Sequence, residues 1–141
     1  MKKNETAFTS VMLIDDNEID NFINQKMIEG CNLSNKIYVH TSSKSALEFL
    51  LNIQRNKDLP ADIKPQLIFL DINMPIMDGF QFIEEFLKLG VQFRQGVTIH
   101  LLTSSINPMD QERALSFGDW VSFVNKPLTR EYLTSLDPKK K

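Results

Sequence analysis

The chain has 141 residues, 42% hydrophobic and 24% charged, with a formal net charge of −2. That length supports one domain with a sizeable core, and the near-neutral balance gives no global electrostatic case for nucleic acid or a membrane as partner. The single cysteine, Cys31, excludes an intramolecular disulfide and suits a reducing compartment.

The start, "MKKNETAFTS", has two lysines but no long apolar stretch after them, so no signal peptide or spanning helix is expected and the default location is the cytoplasm. "SVMLI" (residues 10–14) is an apolar run without polar alternation, as expected for a strand covered on both faces. Asn17 then caps a predicted helix with Ile19, Phe22, Ile23 and Met27 on one apolar face, which Gly30 ends. "KIYVH" (36–40) is a second strand, and Ser42 or Ser43 starts a helix with Ala46, Leu47 and Leu50 inward. The polar stretch 55–65 contains two prolines and reads as a loop. "QLIFL" (66–70) is the third strand, followed by a helix over 79–90 burying Phe82, Ile83 and Phe86. "VTIHLLT" (97–103) is the fourth strand, Asn107-Pro108 a helix start, "WVSFV" (120–124) the fifth strand and "TREYLTSL" (129–136) a short last helix. Residues 8–136 are expected to form the domain, with tails at 1–7 and 137–141; the run Lys139 to Lys141 reads as solubilising. Phe22, Phe80, Phe82, Phe86, Phe93 and Phe117 read as core, and His40 and His100 as packed neutral imidazoles. Trp120 fits either half-buried packing or an exposed anchor.

Strands alternating with helices imply a doubly wound parallel α/β sheet, in which ligands bind outside the carboxyl ends of the strands. Polar residues stand at those ends: Asp15-Asp16, Asp71, Thr103-Ser104 and Asn125-Lys126-Pro127. Three converging carboxylates must either hold protons or bind a cation, and hard oxygen donors favour Mg2+. Lys126 supplies a flexible positive charge suited to a phosphate oxygen, and Thr103 a hydroxyl. Metal, lysine and hydroxyl around one carboxylate suit phosphoryl transfer, with Asp71 as nucleophile. The pairs Met74-Pro75 and Asp78-Gly79 are expected to turn the following loop away sharply.

On the segments "IDDN" (14–17), "LDINMPIMDGF" (70–80), "LLTSS" (101–105) and "FVNKPL" (123–128), the chain resembles the receiver domains of two-component response regulators. The resemblance implies a flavodoxin-like three-layer α/β/α fold with five strands in the order 2-1-3-4-5. It makes Asp71 the phosphate acceptor, Asp15 and Asp16 the metal-binding pair, and Asn73 a metal ligand through its backbone carbonyl. It also makes Lys126 the phosphoryl contact, joined to Pro127 by a cis peptide, and Thr103 and Phe123 the switch pair. Phenylalanine fills the packing role at 123 but lacks the phenol of the tyrosine often found there. The loop 55–65 is longer than the family's usual link, Ser104 and Ser105 leave water access, and the short last helix weakens any case for dimerisation. The implied protein is a stand-alone response regulator without a further domain, catalysing only its own phosphorylation and dephosphorylation. Its partners would be a histidine kinase or phosphotransfer protein and a downstream protein that the sequence does not specify, with no nucleic acid and no membrane insertion.

Three other readings compete, and a fourth fails on its motifs. An unphosphorylated receiver-like module would usually lack one of Asp15, Asp16, Asp71, Thr103 or Lys126. An aspartate-nucleophile phosphatase would want an acid where Asn73 stands. A phosphate sink or relay shares every residue named and differs only in phosphoryl lifetime. A nucleotide-binding site lacks its glycine-rich signatures.

Overall fold

The apolar runs fold into five strands: β1 (Val11–Ile14), β2 (Ile37–His40), β3 (Leu67–Asp71), β4 (Thr98–Thr103) and β5 (Val121–Asn125). All pair in parallel in the order β2-β1-β3-β4-β5, in a computed structural model that describes residues 6–104 and 106–138. β1 and β3 are buried along their whole length, while the edge strands β2 and β5 are half-exposed. Side chains alternate across the sheet, so Met12 and Ile14 enter one core while Val11 and Leu13 enter the other.

Among the described residues six α-helices cover the two faces: α1 (Glu18–Gly30), α2 (Ser43–Arg55), α3 (Gly79–Phe86), α4 (Val91–Arg94), α5 (Pro108–Leu115) and α6 (Arg130–Ser135). The larger core lies under α2, α3 and α5, where Ala46, Leu50, Phe80, Phe82, Ile83, Phe86 and Ala114 pack on Ile68, Leu70, Ile99 and Leu101. The smaller one places Ile28 of α1 and Leu133 of α6 on Phe69 and Leu102. Phe93 and Phe117 are half-buried against the larger core. Trp120 is half-buried too, stacked on Phe86 at 5.8 Å with its Nε1 donating to the Phe117 carbonyl at 2.8 Å.

Three departures from the sequence expectation stand out. Three of the four apolar side chains on the predicted face of α1 point outward, Ile19 being 70%, Phe22 60% and Ile23 50% exposed, so Phe22 is not core, while Met27 is half-buried against the smaller core. The sheet side of α1 carries Asn21, Asn24 and Ile28. The cause is local, because the buried Asn21 amide donates to the carbonyls of Asp15 (2.9 Å) and His40 (3.4 Å) at the ends of β1 and β2. The third helix stops at Phe86, with Leu87 as its cap, and a separate turn, α4, follows. The loop 55–65 contains a 3-10 turn at Ala61–Ile63. Ser105 and the lysine run 139–141 lie outside the described residues.

His100 is sealed in the smaller core side of β4, at 3% exposure. Its Nδ1 meets the Tyr132 hydroxyl at 2.6 Å and its Nε2 the Thr98 hydroxyl at 3.0 Å. Burial pushes the imidazole down from 6.5 to about 4. Between those values the unfolded chain binds a proton that the folded chain refuses, so stability is full above pH 6.5 and falls as pH drops toward 4. The expected loss across that window is about 3 kcal/mol. Urea titrations at pH 7.5 and pH 4.5 should show this acid sensitivity in the wild type and a clearly smaller one in His100→Gln.

Candidate functional site

Four of the five strands deliver polar groups to the carboxyl edge. β1 carries four buried apolar residues, and the chain then emerges at Asp15, which remains 2% exposed, and at the exposed Asp16. α1 starts immediately: Asn17 caps it by accepting from the amides of Ile19 (2.9 Å) and Asp20 (3.1 Å). The Asn17 amide donates to Asp15 Oδ1 at 2.9 Å, which fixes that carboxylate against the helix entrance. Asp71 is the last residue of β3, opposite Leu102 of β4, and is 5% exposed. Thr103 closes β4, buried and opposite Asn125 of β5.

Lys126 follows β5. Its amide donates to the Thr103 carbonyl at 2.7 Å, and the Lys126–Pro127 peptide is cis. Its ammonium lies 3.0 Å from Asp15 Oδ2, 3.1 Å from Asp71 Oδ1 and 3.2 Å from Asp20 Oδ2. One oxygen from each of Asp15, Asp16 and Asp71 lies within 4.8 Å of the others. Among the described residues these three form the one cluster of this kind.

The loop after Asp71 is tied back hard. The Gly79 amide donates to the Ile72 carbonyl at 2.9 Å, and Asp78 and Gln81 form a reciprocal capping box at the start of α3. Between them Ile76 is fully exposed with φ +71°, a left-handed conformation that costs a β-branched residue about 1–3 kcal/mol. The tight ends of the loop hold it there.

The charges do not balance. Burial, reinforced by Asp15, pushes the Asp71 carboxyl up to about 6 even though Lys126 pulls the other way. Burial works against the charge on Lys126, but its hydrogen bond to Asp15 and the fields of Asp71 and Asp15 outweigh that and hold the ammonium above its ordinary range. The surplus is negative, and every donor is a hard oxygen. A divalent cation of the Mg2+ type fits both facts.

Of the other residues singled out in the sequence, Asn73 is exposed in the loop two positions after Asp71, and Phe123 is half-buried against the larger core. Ser104 is exposed. Asp20 was not anticipated. An acid three residues after a helix cap reads as a capping-box partner, and only the prior engagement of the Asn17 amide by Asp15 leaves its carboxylate to Lys126. Exposed apolar side chains flank the site on three elements: Ile19 and Phe22 on α1, Ile76 after β3, and Ile106 and Met109 after β4.

The family model for the response regulator receiver domain matches residues 11–136. The chain is 29% identical over 134 residues to the sensor histidine kinase CheAY of Helicobacter pylori; the match covers 95% of this chain but 15% of that protein. Among solved structures, the two-component response regulator of Cytophaga hutchinsonii is 34% identical, with a TM-score of 0.79 over 92% of this chain and 94% of the other. A response regulator receiver protein of Dyadobacter fermentans, at 23% identity, has a TM-score of 0.75 over 90% and 93% and supports the fold alone.

Proposed function

The chain belongs to the response regulator receiver domains of two-component signalling, phospho-accepting signalling domains and not classical enzymes, and from that premise we propose that it is a switch phosphorylated on Asp71. The observation that carries the reading is the Lys126 ammonium 3.1 Å from Asp71 Oδ1, beside the carboxylates of Asp15 and Asp16 at the open edge of the sheet.

The step is a phosphoryl transfer. An Asp71 oxygen attacks phosphorus, the P–N bond of a phosphohistidine breaks, and the imidazole leaves with the electron pair. The product is an acyl phosphate, which water later hydrolyses back to carboxylate and inorganic phosphate. Mg2+ held by Asp15, Asp16, Asp71 and the Asn73 backbone carbonyl would neutralise charge on the phosphoryl oxygens. Lys126 pairs with another phosphoryl oxygen, and its backbone hydrogen bond to Thr103 keeps the ends of β4 and β5 in register around the acceptor. Thr103 offers its hydroxyl to the same group and, with Phe123, passes the change to the surface of β4, α5 and β5. Phe123 contributes through packing only, having no hydroxyl. A downstream protein reads that surface.

The donor is a histidine kinase or phosphotransfer protein, in the cytoplasm; among the described residues no helix is long and apolar enough to cross a membrane. Such a donor must bring a histidine to Asp71, and the exposed Ile19 and Phe22 offer it an apolar landing beside the site. Phe22→Ser should leave uptake from a small phosphodonor unchanged and slow uptake from a phosphorylated kinase about tenfold or more.

The test of the whole reading is intact mass after incubation with a small-molecule phosphodonor, with Mg2+ and with chelator. A single phosphoryl group gained only with Mg2+ is the expected result. No gain from this donor or from phosphorylated kinases would overturn it.

A further inference from the structure

Lys126 donates to three carboxylates, and only two of them belong to the acidic cluster. The oxygens that hold its ammonium, Asp15 Oδ2 and Asp71 Oδ1, come from residues that a cation must also use. Asp15 has little to spare, because its Oδ1 already accepts the Asn17 amide. Lysine and metal therefore compete for the same two carboxylates. A phosphoryl group on Asp71 nevertheless needs both positive charges at once.

Asp20 lies outside that competition. It is the third residue of α1, its amide is spent on the Asn17 cap, and its own carboxylate meets Lys126 at 3.2 Å. The partner such an acid usually takes, the amide of the capping residue, is bound to Asp15. The helix start thus leaves the Asp20 carboxylate facing the ammonium, about two-fifths exposed and able to follow it.

We infer that Asp20 is a positioning residue for Lys126: it holds the ammonium when Asp15 and Asp71 turn to the cation, so that lysine and metal occupy the site together. The inference rests on the phosphoryl-transfer reading above and adds a residue that neither the cluster nor the motif spacing contains. Lys126 spans all three acids; a cation on Asp15 and Asp71 would leave it Asp20 and the phosphoryl oxygens. Removing Asp20 leaves the ammonium bound to Asp15 and Asp71 alone, where it resists displacement.

The experiment is Mg2+ affinity by isothermal titration on the full chain, for the wild type, Asp20→Asn, Lys126→Gln and the double variant, with thermal melts to verify folding. Asp20→Asn should weaken Mg2+ binding about fivefold, on the scale of couplings between linked sites. In the Lys126→Gln background the same substitution should change it less than about twofold, because no ammonium is left to park. Asp20→Glu should restore most of the wild-type affinity. Equal weakening in both backgrounds would reduce Asp20 to a distant negative charge and overturn the inference, as would no weakening in either. A wild type that binds no Mg2+ would remove the metal from the proposed function and this role with it, so the two failures read differently.

Discussion

Asp71→Asn takes up no phosphoryl group from small or protein donors, while the folded chain is at least as stable as the wild type. The first half follows from chemistry: the amide keeps the size of the carboxylate but is not a nucleophile toward phosphorus. The second half follows from the charge imbalance. The folded-state carboxyl of Asp71 is raised from 3.8 to about 6, so between those values the folded chain holds a proton that the unfolded chain releases. Stability from this group is therefore present at low pH and lost as pH rises through about 6. At neutral pH the ionised carboxylate stands in a crowded acidic pocket that Lys126 compensates only in part, and the uncharged amide relieves it by about 1–2 kcal/mol after solvent screening. Urea denaturation at pH 7 in chelator reads the stability, and intact mass reads the uptake. Uptake in the variant would mean a different acceptor, and a large loss of stability would mean that the Lys126 contact outweighs the repulsion.

Gly79→Ala should damage both fold and site, whereas Gly96→Ala should damage neither site nor uptake. A Cβ on Gly79 would lie 2.9 Å from the Asp71 carbonyl, 3.0 Å from the Ile72 Cα and 3.1 Å from Leu101 Cδ2. Two of the three are backbone atoms of the strand end that carries the acceptor, so the strain is relieved only by moving the loop and with it Asp71. Overpacking of this kind costs about 1–3 kcal/mol, and the displaced nucleophile should slow uptake well beyond what that loss explains. Gly96, with φ +81° and nothing within 4 Å of its added Cβ, pays only the left-handed strain of about 1 kcal/mol. Melting curves and the rate of phosphoryl uptake separate the two. A Gly79→Ala chain that phosphorylates at the wild-type rate would show that the close approach of α3 to β3 does not set the position of Asp71.

The strands were legible in the sequence because β1 and β3 are buried on both faces and so carry no polar interruption until Asp15 and Asp71. The carboxyl-edge rule for parallel sheets then gathered Asp15, Asp16, Asp71, Thr103 and Lys126 at one edge before any distance was known. Periodicity misled at α1. An apolar stripe says that a helix has something to cover, but not whether its own sheet does the covering. Asn21 turned the helix by hydrogen-bonding the strand ends, leaving Ile19, Phe22 and Ile23 outward. The four-residue α4 is too short to carry any period, and it forms where Gly90 and Gln95 bracket it in extended conformations. Asp20 escaped notice because its partner lies 106 positions away.

That separation also orders events during synthesis. Lys126 reaches Asp15 across 111 positions and arrives just after β5, the last of the five strands to be made. A nascent chain on the ribosome presents both Asp15 and Asp71 long before the Lys126 ammonium emerges to pair with them. Until β5 docks on β4, the acids repel one another and the site proposed for the phosphoryl group lacks its lysine. On the proposed function, competence to receive a phosphoryl group is thus a property of the finished sheet, and a chain stalled or cleaved before residue 126 should be silent in signalling even if its first four strands have paired.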